Sequence, residues 1–336
     1  MPAAVPSAAR RSWRPGRLLA AMAAAAGLAA SPARALEKVS FGLNWVPEAE
    51  HCGFFQAKAR GHYEAAGLDV ELKPGNPNVN MPLLVASGEM NMGMGSSFTT
   101  LNLVAKGVKA RTVASFFQKD PQTLVAHAGQ GVATLQDLKG KPIMIGGFSR
   151  NEFWQFLKVA YGFDDGQLRP YAYSAAPFLA DKKAVQQGYI TDDAATLGKV
   201  LPEPPVSILL ADYGYDNYAT TVFATDAYLD AHTKTVQAFL DASRKGWAEC
   251  MSGDYAPAMK AVLDLVPTGG EELFHFKMDQ MKKRGLVEGG DAETLGIGAM
   301  TDARWKSFFD VMVKAGIYPA SLDFTQAYTL AFIGKK

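Results

Sequence analysis

The chain has little of what a reactive or nucleic-acid-binding protein needs. It holds two cysteines, Cys52 and Cys250, and five histidines, at 51, 62, 127, 232 and 275, scattered without metal-ligand spacing. No metal centre is expected. There is no P-loop, no dinucleotide glycine fingerprint, no Gly-x-Ser-x-Gly elbow and no His-Glu-x-x-His helix. The common signatures of nucleotide-dependent and hydrolytic enzymes are thus missing, and no cofactor is implied. A surplus of positive charge is lacking too, since 34 basic residues face 33 acidic ones, so nothing attracts nucleic acid. Beyond the first 35 residues, no run approaches the ~20 apolar residues of a membrane helix.

Residues 1–35 read as an export signal. Arg10, Arg11, Arg14 and Arg17 form a basic region, residues 18–30 an apolar run too short for a membrane span, and Ala33-Arg34-Ala35 a small-x-small cleavage site. Arg10-Arg11 leaves both the general and the twin-arginine export routes open. No cysteine sits near the cleavage point, so a lipid anchor is not indicated. Cleavage would remove five of the 34 basic residues, leaving 29 against 33 acidic, a net charge of about −4. The remaining 301 residues suit two lobes better than one core. Export also implies an oxidising compartment in which the two cysteines could pair. Nothing in the sequence brings them together, and two buried thiols are the expectation.

Short β-branched or alternating runs are followed repeatedly by amphipathic stretches, the pattern of βαβ units and largely parallel sheets. Strands are expected at 39–45, 68–72, 90–94 and 112–117, with helices at 51–60, 79–87 and 99–106 between them. That makes one α/β lobe. The period-two methionines Met90, Met92 and Met94 mark one face of a strand. A second series has strands at 123–127, 142–145, 169–173, 188–191 and 206–211, with helices at 151–161 and 177–187. After a strand at 220–224 the pattern is mostly helical, over 233–251, 256–265, 271–284 and 302–315. The expected plan is a first lobe of 36–124 and 222–336, a second lobe of 125–221, and crossings near 123–127 and 220–224. Such lobes close on a ligand by hinge motion. A single large α/β enzyme domain is the alternative.

Candidate site residues sit where strands give way to helices, the edge at which an open α/β sheet presents ligands. The stretch Leu43-Asn44-Trp45-Val46-Pro47-Glu48-Ala49-Glu50-His51-Cys52-Gly53-Phe54 supplies Asn44, Trp45, His51 and Phe54. His51 could bond a ligand or cap the helix start. Ser96 and Ser97 in one lobe, and Ser149 in the other, open helices whose free N–H groups could donate to a ligand oxygen. Trp154 could flank the first turn of its helix. Tyr189-Ile190-Thr191-Asp192-Asp193 ends a short strand with two carboxylates, one an N-cap and the other, taken as Asp193, an acceptor for a ligand donor.

The opening motif, with Ala57-Lys58-Ala59-Arg60-Gly61-His62-Tyr63 and Gly67-Leu68-Asp69-Val70-Glu71-Leu72 after it, resembles the solute-binding proteins of ABC importers that take up sulfonates, nitrate and thiamine pyrimidine precursors. Leu-Asn-Trp-x-Pro-x-x-x-His, followed by Ala-Lys-x-x-Gly-x-Tyr, is similar to the branch of pyrimidine-precursor binders and fungal pyrimidine synthases. Ser87-Gly88-Glu89, Asp137-Leu138-Lys139-Gly140 and Gly188-Tyr189 extend the similarity to the C-terminus. The resemblance implies a type II periplasmic binding protein fold, delivery of a small molecule to an inner-membrane ABC permease, a periplasmic monomer, and no catalysis. By matched positions, Asn44, Trp45 and His51 would line the first lobe, Ser96 and Ser97 the next turn, and Tyr189 and Asp193 the second. The cysteine-rich motif of the fungal synthases is absent, and the usual second-lobe glutamate is replaced by Asp192 or Asp193. Aromatic walls with a carboxylate suit a flat nitrogen heterocycle. A sulfonate or nitrate would want cationic donors, for which Arg150 is the candidate.

Overall fold

A computed structural model describes residues 1–4, 35–147 and 149–334. The chain divides into Met1–Ala35 and Leu36–Lys336. The expected export signal lies almost entirely outside the described residues. Among the described residues, the second unit holds ten strands: β1 (Glu37–Gly42), β2 (Leu68–Lys73), β3 (Met92–Gly95), β4 (Ala110–Phe117), β5 (Gln122–Ala126), β6 (Ile143–Ile145), β7 (Leu168–Pro170), β8 (Val185–Tyr189), β9 (Val206–Leu209) and β10 (Ala219–Thr225).

These strands form two five-stranded sheets, ordered β2-β1-β3-β10-β4 and β7-β6-β8-β5-β9. In each sheet four strands run in one direction, and the fourth position is taken by an antiparallel strand that has just arrived from the other sheet: β10 pairs with β3 and β4, and β5 with β8 and β9. The chain therefore crosses twice, between Phe117 and Gln122 and between Leu209 and Ala219. Residues 123–127 and 220–224, expected at the crossings, lie mostly within β5 and β10, just after them. Each sheet with its helices makes one α/β lobe, and a cleft opens between the lobes beside the two crossing segments.

The first sheet is covered by helices Cys52–Ala59, Thr233–Ser252, Ala256–Leu265 and Gly270–Lys283, which share one core cluster with Val39, Phe41 and Val113. The helices Cys52–Ala59 and Thr233–Ser252 cross at glycines. A Cβ on Gly53 would stand 2.1 Å from the Trp247 ring, and one on Gly246 2.1 Å from the Gly53 carbonyl oxygen. This close approach brings the Cα atoms of Cys52 and Cys250 to 6.3 Å, and the two form a disulfide across 198 residues. The expectation of free thiols is thus corrected: the deciding contact lies between residues far apart in sequence. In the chain-entropy picture a closed loop of that length stabilises the fold by up to about 5 kcal/mol.

The last long helix, Asp302–Lys314, behaves differently from the other tail helices. Trp305, Phe308 and Met312 join Phe98 and Leu101 of the first lobe, Tyr215 and Tyr218 of a crossing segment, and Leu124 and Trp154 of the second lobe. Arg304 on that helix stacks over Tyr218, pairs with Asp216 at 2.8 Å and donates to the Gln118 carbonyl. Both crossing segments are thereby tied to one helix. One element departs from the sequence expectation: the helix expected at 177–187 stops at Ala180, and β8 already runs from Val185 to Tyr189. Val185, Gln186 and Gln187 are central-strand residues, and pairing on both sides of β8 overrides the helical preference of the two glutamines.

Candidate ligand-binding site

The cleft holds a cavity of about 450 Å³. Its walls are turns that follow the C-terminal ends of parallel strands, where strand ends leave side chains and N–H groups free to face a ligand. β1 leads to Asn44 and Trp45, β3 to Ser96, β6 to Ser149 and Glu152, β7 to Tyr171 and Tyr173, and β8 to Tyr189 and Asp193. Asp120 and Gln122 line it from the first crossing, Tyr215, Ala219 and Thr220 from the second. Trp45 and Tyr173 meet across the cleft with ring centroids 4.7 Å apart, and Tyr171 lies 5.1 Å from Tyr173. Among the described residues, the two non-glycines with positive φ are Tyr173 (59°) and Thr220 (48°), and both line this cavity. Such backbone costs on the order of 1–3 kcal/mol and clusters at functional sites.

His51 is held by its own turn. The backbone N–H of Glu48 donates to Nδ1 at 3.2 Å, and Nε2 lies 3.3 Å from Asn44 Oδ1, which assigns the neutral ring with its proton on Nε2. Burial, reinforced by the charge of Lys277, pushes its pKa down to about 3. His51 therefore caps the helix start and orients the Asn44 amide, with both nitrogens engaged.

Two sets of carboxyl groups face the cavity. Lys277, 4% exposed on helix Gly270–Lys283, reaches Glu48 Oε2 at 2.6 Å, Glu50 Oε2 at 3.3 Å and, from the other lobe, Asp192 Oδ2 at 2.8 Å. Burial alone would lower its pKa, but the three carboxylates outweigh that and hold it raised. Burial and the neighbouring Glu50 push Glu48 up to about 8. Thr191, also from the second lobe, donates to Glu50. At the crossings, Asp120 accepts from the Gln122 N–H at 3.0 Å and from Asn217 Nδ2 at 2.9 Å, and burial pushes it up to about 6. Glu152, 9% exposed, has no hydrogen-bond partner for Oε1. Burial first, and Asp120 second, raise its pKa well above the usual range, and the nearby Ser96 hydroxyl offsets them only in part.

The cavity brings together Asn44, Trp45, His51, Ser96, Ser149, Tyr189 and Asp193. Three other expected residues do not line it. Phe54 packs in the first-lobe core against Phe41 and Phe116, because its helix turns that face to the sheet. Ser97 faces the second crossing, where its N–H donates to Asn217 Oδ1 and its hydroxyl accepts from the Tyr218 N–H. Trp154 is buried in the second lobe and donates from Nε1 to Asp165 at 2.8 Å, while Phe153, one position earlier, lines the cavity. Asp193 is at the wall but engaged: Oδ2 accepts from the Tyr189 N–H at 2.6 Å and Oδ1 from Gln186 at 3.0 Å. Gly188 permits this fold-back, since a Cβ there would stand 2.2 Å from Asp193 Oδ2. Asp192 is the N-cap residue of helix Asp193–Gly198 and turns to Lys277. Arg150 is not in the lining; its Nε donates to the Ile145 carbonyl.

Glu152, Asp120, Tyr171 and Tyr173 were not singled out from sequence. Glu152 follows the Gly146-Gly147 turn and Asp120 precedes a proline at a lobe boundary, so a search of whole turns for acids would have found both. Nothing local marks Tyr173, whose role depends on Trp45 opposite.

Residues 48–253 match the family model described as NMT1/THI5 like, and the chain belongs to that family. It is similar to the 4-amino-5-hydroxymethyl-2-methylpyrimidine phosphate synthase THI11 of Saccharomyces cerevisiae, with 26% identity over 258 residues, 70% of this chain and 74% of that one. It is also similar to the riboflavin-binding protein RibY of Chloroflexus aurantiacus, with 23% identity over 308 residues, 89% and 86% of the two chains. Among solved structures, the periplasmic aliphatic sulphonate binding protein SsuA of Escherichia coli superposes with a TM-score of 0.63 at 13% identity, covering 87% of this chain and 92% of that one. The fold is that of the type II periplasmic binding proteins.

Proposed function

We propose that this chain is the periplasmic binding component of an ABC importer, which captures a small heteroaromatic solute related to the thiamine pyrimidine and passes it unchanged to an inner-membrane permease. The observation that carries this reading is the Trp45–Tyr173 pair, one ring from each lobe at 4.7 Å. Lobe closure assembles an aromatic wall that neither lobe holds alone, which suits a flat ring. Asn44 beside it is held by His51 and can read a ring edge. The Cys52–Cys250 disulfide agrees with export by the expected leader, because such bridges persist in oxidising compartments. The exported protein would act as a monomer.

Two other readings are weaker on specific grounds. A sulfonate or nitrate site wants cationic donors, and no lysine or arginine lines the cavity among the described residues. A pyrimidine synthase using His51 as base needs a free ring nitrogen, and both are engaged. Calorimetric titration with 4-amino-5-hydroxymethyl-2-methylpyrimidine, riboflavin and an alkanesulfonate, with mass analysis of the recovered ligand, tests the choice. One equivalent of the pyrimidine bound and recovered unchanged is the expected outcome. Tight sulfonate binding, or a product of altered mass, would sink the reading.

A further inference from the structure

The unequal neutralisation of the cleft's acids bears on the charge of the ligand, given the proposed function of this cavity as the site of a small aromatic solute. Six carboxyl side chains line it, Glu48, Glu50, Asp120, Glu152, Asp192 and Asp193, and no lysine or arginine does so among the described residues. Lys277 answers three of them from behind the wall. Asp193 and Asp120 are each held by two hydrogen bonds from their own surroundings. Glu152 is the exception, nine-tenths buried with Oε1 unpartnered. The Ser96 hydroxyl, on the first-lobe side of the cavity, is the one protein group beside Glu152 that favours its ionised form.

A buried carboxyl without a partner is costly, and native proteins keep one where something else completes it. An anionic ligand would add like charge to an already acidic cavity. A cation would favour the ionised form of Glu152, against the burial and the Asp120 charge that disfavour it, pair with it, and could lie against the Trp45, Tyr171 and Tyr173 rings, whose faces attract positive charge. We propose that the cleft takes a cationic aromatic ligand, with Glu152 as its counter-ion, and that it rejects phosphate and sulfonate derivatives of the same ring. An aminopyrimidine, whose ring nitrogen accepts a proton, meets both this inference and the proposed function. Trp45 and Tyr173 would then supply affinity for the ring and Glu152 selectivity for its charge.

Three probes with one ring and different charge test this on the intact protein: benzylamine, benzyl alcohol and phenylmethanesulfonate, titrated by ligand-observed NMR. A charge-assisted contact predicts the amine to bind at least about 10-fold tighter than the alcohol, with the sulfonate weaker still. Glu152→Gln, which keeps the shape and removes the ionisable carboxyl, is expected to bring amine and alcohol within about 3-fold. Glu152→Asp retains the ionisable carboxyl and should keep the order, so the inference stays testable if either variant folds poorly. Sulfonate binding equal to that of the amine, a preference of about 10-fold that survives Glu152→Gln, or no binding of any probe at millimolar concentration would each overturn the inference. None of the probes is a pyrimidine, so the two readings fail separately. A pyrimidine that binds while the probes show no charge order defeats this inference alone, and an amine preference without pyrimidine affinity defeats the proposed cargo alone.

Discussion

Around Lys277, three carboxyl groups from both lobes converge on one buried ammonium; beside the crossing segments, Asp120 and Glu152 face the same cavity with no cation between them. Both sets consist of buried or partly buried acids on turns, and composition alone cannot tell them apart. The first is closed upon itself and joins the lobes, since Asp192 and Thr191 come from the second lobe and Glu48, Glu50 and Lys277 from the first. The second is left open toward the cavity. In the first set the protein supplies the partner; in the second it leaves the Glu152 carboxyl to the proposed ligand.

The largest effect should come from breaking the closed set. Lys277→Met leaves buried Glu50 and the partly buried Glu48 and Asp192 without their counter-ion, and removing one partner of a buried ion pair costs about 3–5 kcal/mol. Thermal unfolding should then fall by on the order of 5–10 °C, whereas Glu152→Gln should leave it nearly unchanged. Equal losses in the two variants would erase the distinction between the sets.

Next comes the ring wall on which the open set depends. Trp45→Ala removes half of the interlobe aromatic pair, and a buried aromatic anchor is worth about 2–4 kcal/mol of binding. Calorimetry should show at least about a 30-fold loss of affinity, with little change in unfolding temperature because Trp45 is only partly buried.

A smaller effect is expected at Asp193, which lies between the two kinds. Its oxygens are taken by the Tyr189 N–H and Gln186, so Asp193→Asn turns an acceptor into a donor facing a donor. That should cost about 1–3 kcal/mol of stability and change affinity less than Trp45→Ala does. A large affinity loss with full stability would return Asp193 to the role of ligand acceptor.

The smallest effect is in pH dependence. Glu48 is pushed up to about 8 by burial and by Glu50. The folded state therefore holds a proton that the unfolded chain has already lost above the ordinary glutamate range. Stability linked to this group is present at low pH and is lost as pH rises through about 8. Unfolding temperature should decline between about pH 5 and 8 and level off above, with a shallower slope in Glu48→Gln, and identical slopes would show that Glu48 is ionised throughout.

Much of this molecule was legible in its residues. The alternation of β runs and amphipathic helices placed nine of the ten strands near their observed positions, because period two and period 3.6 are imposed by local backbone geometry. β8 was mislocated because Gln186 and Gln187 have helical preferences and only their neighbours β5 and β6 hold them extended. The turn residues Asn44, Trp45, Ser96, Ser149 and Tyr189 line the cavity because a strand end presents its turn to the cleft. Phe54 and Trp154 were misplaced by helical phase, since an aromatic ring near a helix start can face cleft or core with equal ease in one dimension. The family membership and the two-lobed fold were readable from motif and rhythm together.

What the sequence by itself determined is therefore the sheet-forming rhythm, the turns that border the cleft and the supply of acids and rings within them. These depend on neighbours within a few residues. Only the tertiary structure decided which acids are answered by Lys277, that Tyr173 meets Trp45, that Glu152 Oε1 is left without a partner, and that Cys52 and Cys250 form a bridge. Each of these is a relation between groups far apart in the chain, or the absence of one. Such relations are set by packing at Gly53, Gly246 and Arg304 rather than by any local preference.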